Sequence, residues 1–316
     1  MINFTDEFQE RLDQSKNILL VGASGGFDVL SCLPLYYKLK SEEKEITMVN
    51  FTRVNVSELN EATEPQVLLK DRLFMVGSNI KAGLQHYPAG MTSLWFEQTY
   101  DEQVPFYLIA KQSIPQMTEC YHKIIEKTKA DTIIFCGFGM RSIMIGDEQG
   151  CGDMLFSTMN MSAIKNIENV QKLLMTIGLE TTVRHKVSYN SVLDNIALHT
   201  QWGSYLGLSC LRANDTSFQY MKHCYDFIAS KEYHERDVLA ELILLGITGR
   251  VGQLDSGDKV TPLMTHVHCF DLQSVANANK ISILIDQYET FDDVVQHGMG
   301  MILNNNKVRK FTFPEI

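Results

Sequence analysis

The sequence predicts an α/β protein of the Rossmann-like, doubly wound kind, with a mostly parallel sheet and helices on both faces. Three observations predict it. The segment "KNILLVGASGG" carries a buried strand into a glycine turn. A helix-length apolar segment and a further strand, "EITMVNF", complete an opening strand-helix-strand unit. Short apolar runs then keep alternating with longer periodic ones as far as "DTIIFCGFG".

Taken in order, the first strand spans 17–22 and the first helix 28–40. Val29, Leu30, Leu33, Leu35, Tyr36 and Leu39 lie nearly all round that helix, which predicts cover on every side. Strands follow at 45–51, 72–76 and 105–111, and a helix at 114–129 feeds a strand at 131–136. Between them, 77–104 mixes aromatics and glycine without a clear period and reads as an insertion placed to cover a site. The second half reads as a helix over 153–178 closed by Gly178, a strand "ETTVRHKV", helices at 191–201, 215–230 and 235–246, late strands "LMTHVHCFD" and "ISILID", and a terminal helix "FDDVVQHGMGMILNN". No Pro-, Gly- or Ser-rich linker divides the chain, so 1–316 reads as one domain.

A chain of 316 residues with 45% apolar content can bury a substantial core. Its net charge of −10 argues against a general nucleic-acid or anionic-membrane surface, since clustered Lys and Arg hold such partners. A local basic pocket is still compatible with that charge. Apolar runs such as "DTIIFCGFGM" fall short of the roughly 20 residues that span a bilayer, and "MINFTDEFQERLDQ" lacks signal-peptide character. Seven cysteines without a C-x-x-C pair suit a reducing, cytoplasmic setting. Cys32, Cys136 and Cys269 read as buried, and Cys151 stands in a loop. The expected partner is a small molecule; a homo-oligomer is compatible with the composition.

The turn 22–28 is the first candidate site. A strand-to-helix turn exposes backbone N–H groups at the positive end of the helix, and glycines let a ligand approach them. Gly22, Ser24, Gly25, Gly26 and Asp28 are its candidate binding residues. Asp28 can accept hydrogen bonds from ribose-like hydroxyls, join a divalent cation, or serve as an N-cap. Its charge would repel a bare pyrophosphate at the same place.

The second candidate is "FGMRSIMIGDEQGCGDM", which follows the strand at 131–136. Loops leaving the carboxyl ends of neighbouring parallel strands share one crevice, so Asp28 and this loop are expected to face each other. Converging carboxylates supply a proton donor or base, or an oxygen-ligand set for Mg2+. Glu148 is the expected acid/base. Asp28 and Asp153 would grip hydroxyls or metal, giving a metal set of Asp28, Glu148 and Asp153. Arg141 would offset phosphate charge and Asp147 would join the binding residues.

Two resemblances attach to these residues. "VGASGGFD" is similar to the "TGASGGIG" turn of the short-chain dehydrogenase/reductases, which implies NAD(P) as an alternative cofactor. Asp28 departs from that turn, and the family's Tyr-x-x-x-Lys pair occurs only as Tyr36 and Lys40 in the first helix. The strand 45–51 ends in "NFTR", without an acid for an adenosine ribose, although Arg53 suits a 2′-phosphate. "VGASGGFDVLSCLPL", "GDEQGCGDM" and "GITGRVGQL" together resemble the archaeal and bacterial family catalogued as domain of unknown function 1152. That resemblance implies a site on Gly22, Gly25, Gly26, Asp28, Gly146, Glu148 and Asp153, and no particular reaction.

Weaker candidates are His266 and His268, two apart on a strand and able to share a metal but short of further ligands; Asp194 and His199, whose spacing does not place them on one helix face; Trp202 and Tyr205, read mainly as core; and Arg250 between glycines. The functional expectation is an enzyme that binds a nucleotide or related phosphorylated, hydroxyl-bearing small molecule and cleaves or transfers at it. The alternatives are an NAD(P)-dependent oxidoreductase and a non-catalytic nucleotide sensor.

Overall fold

A computed structural model describes residues 1–81, 87–148, 154–179, 181, 187–231 and 236–304. The first half contains α1 (Asp6–Gln14), β1 (Asn17–Gly22), a 3-10 segment (Gly26–Cys32) that continues into α2 (Leu33–Ser41), β2 (Glu45–Phe51), α3 (Val56–Ala62), β3 (Gln66–Leu69), β4 (Leu73–Val76), α4 (Pro88–Tyr100), β5 (Phe106–Ile109), α5 (Ile114–Thr128) and β6 (Thr132–Phe138). A short 3-10 turn (Arg141–Ile143) leads to α6 (Leu155–Lys165), β7 (Gln171–Ile177), α7 (Tyr189–Gln201), β8 (Tyr205–Cys210), α8 (Thr216–Ala229) and α9 (Val238–Ile247). The chain then forms the small ladder β9 (Gly252–Gln253) and β10 (Lys259–Val260), β11 (His266–Asp271), α10 (Leu272–Ala278), α11 (Lys280–Ile285) and α12 (Phe291–Asn304).

Among the described residues, nine strands form one sheet in the order β3-β4-β5-β2-β1-β6-β7-β11-β8. The five central strands, β5 to β7 in that order, are parallel. Antiparallel strands flank them on both sides. Alternation along β1 explains the two layers. Ile18 and Leu20 join the core under α1, α2, α4, α8 and α9, while Leu19 and Val21 join the core under α5, α6, α7 and α10 to α12. The α/β class and the mostly parallel sheet expected from the sequence are therefore what the structure shows.

The order also fixes a crevice. The chain leaves β1 to build β2 and β5 on one side, then returns to build β6 on the other, which makes the β1/β6 boundary a topological switch point. Gly22 is level with Asn50 of β2 and Cys136 of β6. The three strand ends, and the loops leaving them, consequently lie side by side.

Four sequence expectations are corrected. Residues 153–178 are not one helix: α6 stops at Lys165, Asn169 takes a left-handed φ of 58°, and β7 follows. A short buried strand such as "LLMTI" has no period that separates it from a buried helix. "ISILID" is helical as α11, because the Asn279 side chain caps it by accepting from Ser282 N–H at 2.8 Å. The first helix begins as 3-10 and becomes α-helical where Pro34 stands in its first turn. Within 77–104, residues 88–100 form the packed helix α4, with Trp95 and Phe96 fully buried, instead of an uncommitted covering loop. The segment "ETTVRHKV" lies almost wholly outside the described residues.

Candidate functional site

The glycine turn is built by packing. A Cβ on Gly22 would lie 2.5 Å from Asn50 Oδ1 and 3.0 Å from the Val29 nitrogen. At Gly25 (φ 77°) it would lie 2.2 Å from the Phe51 carbonyl oxygen. These two glycines let the turn press against β2. Gly26 differs: its φ is 57° and nothing stands within 4 Å of where its Cβ would be, so its backbone borders open space. From beneath, Asn160 of α6 donates to the Gly22 and Ala23 carbonyls at 3.2 and 3.0 Å and accepts from the Tyr121 hydroxyl.

Asp28 is 2% exposed, and all four of its lone-pair directions are taken. Oδ2 accepts from the Ser24 N–H at 2.8 Å and from the Ser24 hydroxyl. Oδ1 accepts from the Phe138 N–H at 3.2 Å and from the Arg141 guanidinium at 2.8 Å. The N-cap position of the 3-10 segment is Gly25, so Asp28 is not its N-cap. Its carboxylate is a clasp that ties the turn after β1 to the loop after β6. The same pairing offsets the repulsion expected between Asp28 and a phosphate, because the partly exposed Arg141 guanidinium balances the charge.

Two loops therefore converge as the sequence suggests, but through a contact that the sequence does not display. Glu148, in the second loop, is 4% exposed. Its Oε1 accepts from the Ile145 N–H at 2.8 Å and the Asn195 amide at 2.6 Å, and its Oε2 accepts from the Gly146 N–H at 2.8 Å. It fastens its own loop to α7. Asp147 pairs with Lys280. Asp153 and Cys151 lie outside the described residues. Among the described residues, no group of three or more His, Cys, Asp or Glu side chains is placed to hold a metal ion.

Two further groups border the crevice. Arg53, just beyond β2, lays its guanidinium 5.0 Å from the centroid of Phe156, and Phe156 in turn stacks on Phe291 with a 16° interplanar angle. Arg53 Nη2 reaches the Ser24 carbonyl at 3.4 Å. Asp237 caps α9 by accepting from the Ala240 N–H at 2.8 Å and is half-buried. Burial pushes its carboxyl above the usual aspartate range and Asp28 adds to the rise, while the Ala240 bond, Arg141 and Arg53 pull the other way. A carboxyl with a raised pKa that feels two arginines and a second acid makes Asp237 a functional-site candidate. The sequence does not single out Asp237, which lies inside the helix expected at 235–246. The polar Asn160 inside the apolar run "LFSTMNMSAIK" was the available signal for the support beneath the turn.

Elsewhere the weaker candidates have local partners. His268 Nδ1 meets the Tyr205 hydroxyl at 3.1 Å; burial first and His266 second lower its pKa to about 4, which keeps it neutral. His199 is buried with Nδ1 2.9 Å from the Ser204 hydroxyl. Trp202 is 50% exposed, contrary to a core reading. Tyr36 packs on Phe96 and Lys40 pairs with Glu102, so that Tyr-Lys pair is engaged within the helical layer.

No family model and no curated protein matches the chain. Among the described residues, no helix is long and apolar enough to cross a membrane.

Proposed function

We propose that the crevice at the β1/β6 switch point binds a nucleotide or related phosphorylated, hydroxyl-bearing small molecule, and that the protein is an enzyme that cleaves or transfers at it. The observation that carries this reading is the Asp28 clasp. It joins the two loops at the position where open parallel sheets take ligands, and it balances its own charge with Arg141. Gly26 then offers bare backbone toward open space, and Arg53 adds positive charge in a chain of net charge −10.

Within this reading Asp237 is the proton-transfer group. Its raised pKa brings it nearer neutrality, where an acid or base works best. Glu148 holds the second loop in shape. A thermal-shift series with adenosine 5′-monophosphate, ribose 5-phosphate, NAD and NADP, each with and without Mg2+, tests the reading, because a ligand of the folded state raises the melting temperature by mass action. At least one phosphorylated compound should raise it in the wild type and not in Gly26→Val. No rise with any of them, or a rise that Gly26→Val leaves intact, contradicts the reading.

A further inference from the structure

We infer that Tyr225 is a ligand-binding residue of the crevice, holding with Asp237 an uncharged hydroxyl of the guest at the end away from its phosphate, so that the guest carries a phosphorylated sugar. The inference rests on the reading just given, in which the glycine turn takes the phosphate and Asp237 faces the guest.

Position is the first argument. Tyr225 stands on α8 with its ring centroid 6.3 Å from that of Phe27, the residue between Gly26 and Asp28. It shares a core with Leu239 and Ala240 in the first turn of α9, and Leu239 reaches within 3.4 Å of where a Cβ on Gly139 would lie, just past β6. Tyr225 and Asp237 therefore belong to one wall, which extends from the glycine turn to the loop after β6.

An unmet hydroxyl is the second. Tyr225 is 6% exposed, and its phenol oxygen is enclosed without a hydrogen-bond partner, an arrangement that costs free energy until a partner arrives. Tyr121 is as deeply set, and its hydroxyl donates to Asn160. Tyr87 is unmet as well, but its hydroxyl is turned onto Gly90, 2.8 Å from where a Cβ would lie, and burial alone lifts its pKa. The phenol of Tyr225 is lifted by burial first, then by Glu241, Asp237 and Asp226, against the pull of Arg236. Charged neighbours thus surround this hydroxyl.

The sign of those charges is the third. Acids outnumber the one arginine around the phenol, which disfavours a phosphate there and leaves that group to the bare backbone at Gly26. Asp237 gives one carboxylate oxygen to the Ala240 N–H, and its other oxygen has no hydrogen bond with any described residue. A phenol donates and a carboxylate oxygen accepts. A single hydroxyl placed between them satisfies both.

Calorimetric titration compares ribose 5-phosphate with inorganic phosphate on the wild type, Tyr225→Phe and Asp237→Asn. Phenylalanine removes one oxygen. In Asp237→Asn the amide oxygen keeps the cap, so the amide NH2 group turns to the guest and replaces an acceptor by a donor. Each change should weaken ribose 5-phosphate about tenfold, the effect of one hydrogen bond, and leave phosphate affinity unchanged. Melting temperature separates this role from a structural one, because deleting an unmet hydroxyl should leave Tyr225→Phe as stable as the wild type or more so. Should either variant fail to fold, the other carries the test. Unchanged ribose 5-phosphate affinity in a folded variant, equal losses for both ligands, or a lowered melting temperature in Tyr225→Phe overturns the inference. If the wild type binds a nucleotide of the thermal-shift series but not ribose 5-phosphate, the inference falls and the proposed function stands; if it binds none of that series, both fall.

Discussion

Asp28 and Glu148 are both buried carboxylates in glycine-rich loops, yet they are stabilised by different means. Asp28 is answered by a guanidinium 113 residues away and by the backbone of a neighbouring strand. Glu148 is answered by two N–H groups of its own loop and by an amide on α7. One carboxylate joins two loops; the other shapes a single loop. The groups on which the proposed ligand chemistry rests, Arg53 and Asp237, are half-buried and less conspicuous in the sequence. Conspicuous acids here build the crevice, and inconspicuous neighbours furnish it.

The largest expected effect breaks the clasp. Arg141→Met leaves Asp28 buried opposite an apolar side chain and should cost about 3–5 kcal/mol, read as a fall in the urea midpoint. Adding Asp28→Asn should recover part of the loss, since the uncompensated charge goes. A single-variant cost below about 1 kcal/mol would mean that the pair behaves like a surface contact.

Gly25→Ala comes next. Its new Cβ strikes the Phe51 carbonyl in a left-handed conformation, for about 2–4 kcal/mol in strain and overpacking. Glu148→Gln should cost about 1.5–3 kcal/mol, because an amide N–H₂ must then face one of its present donors, while nucleotide affinity is retained. Equal losses of affinity in Glu148→Gln and Arg53→Met would erase the distinction drawn above. Gly26→Ala meets no atom and should cost only about 1–2 kcal/mol of backbone strain.

Asp237 gives the smallest effect and a definite sign. Its folded pKa is raised above the aspartate value of 3.8. The proton is held more tightly in the folded state, so the stabilisation is complete below the unfolded pKa and is lost as pH rises through the folded one. Asp237→Asn keeps the cap and removes that slope. Its melting temperature relative to wild type should therefore improve between acid and neutral pH. A difference independent of pH would show that Asp237 titrates normally.

Much of this fold was legible because it is local. "NILLVG", the glycine turn and "EITMVNF" carry their own signals of strand, turn and strand, and adjacency in sequence makes them neighbours in space. β7 was hidden because a fully buried strand lacks alternation. β8 was missed because it opens within a polar stretch and its burial only partly alternates. For the site, the special character of Asp28 and the meeting of the two loops were readable from composition and strand order. The clasp was not, since nothing near Asp28 in the chain announces Arg141. Asp237 draws its environment from three separate segments, those of Asp28, Arg53 and Arg141, so no local pattern could mark it.

The most direct test of the central claim is a transverse-relaxation-optimised nitrogen-proton spectrum of the labelled protein, titrated in turn with adenosine 5′-monophosphate and NADP. The account predicts that the amide signals of Gly25 and Gly26 and the Arg53 side-chain Nε–H signal move together, saturably and at one shared dissociation constant. Saturable shifts confined to residues away from the β1/β6 boundary, with those three signals unmoved, would contradict it.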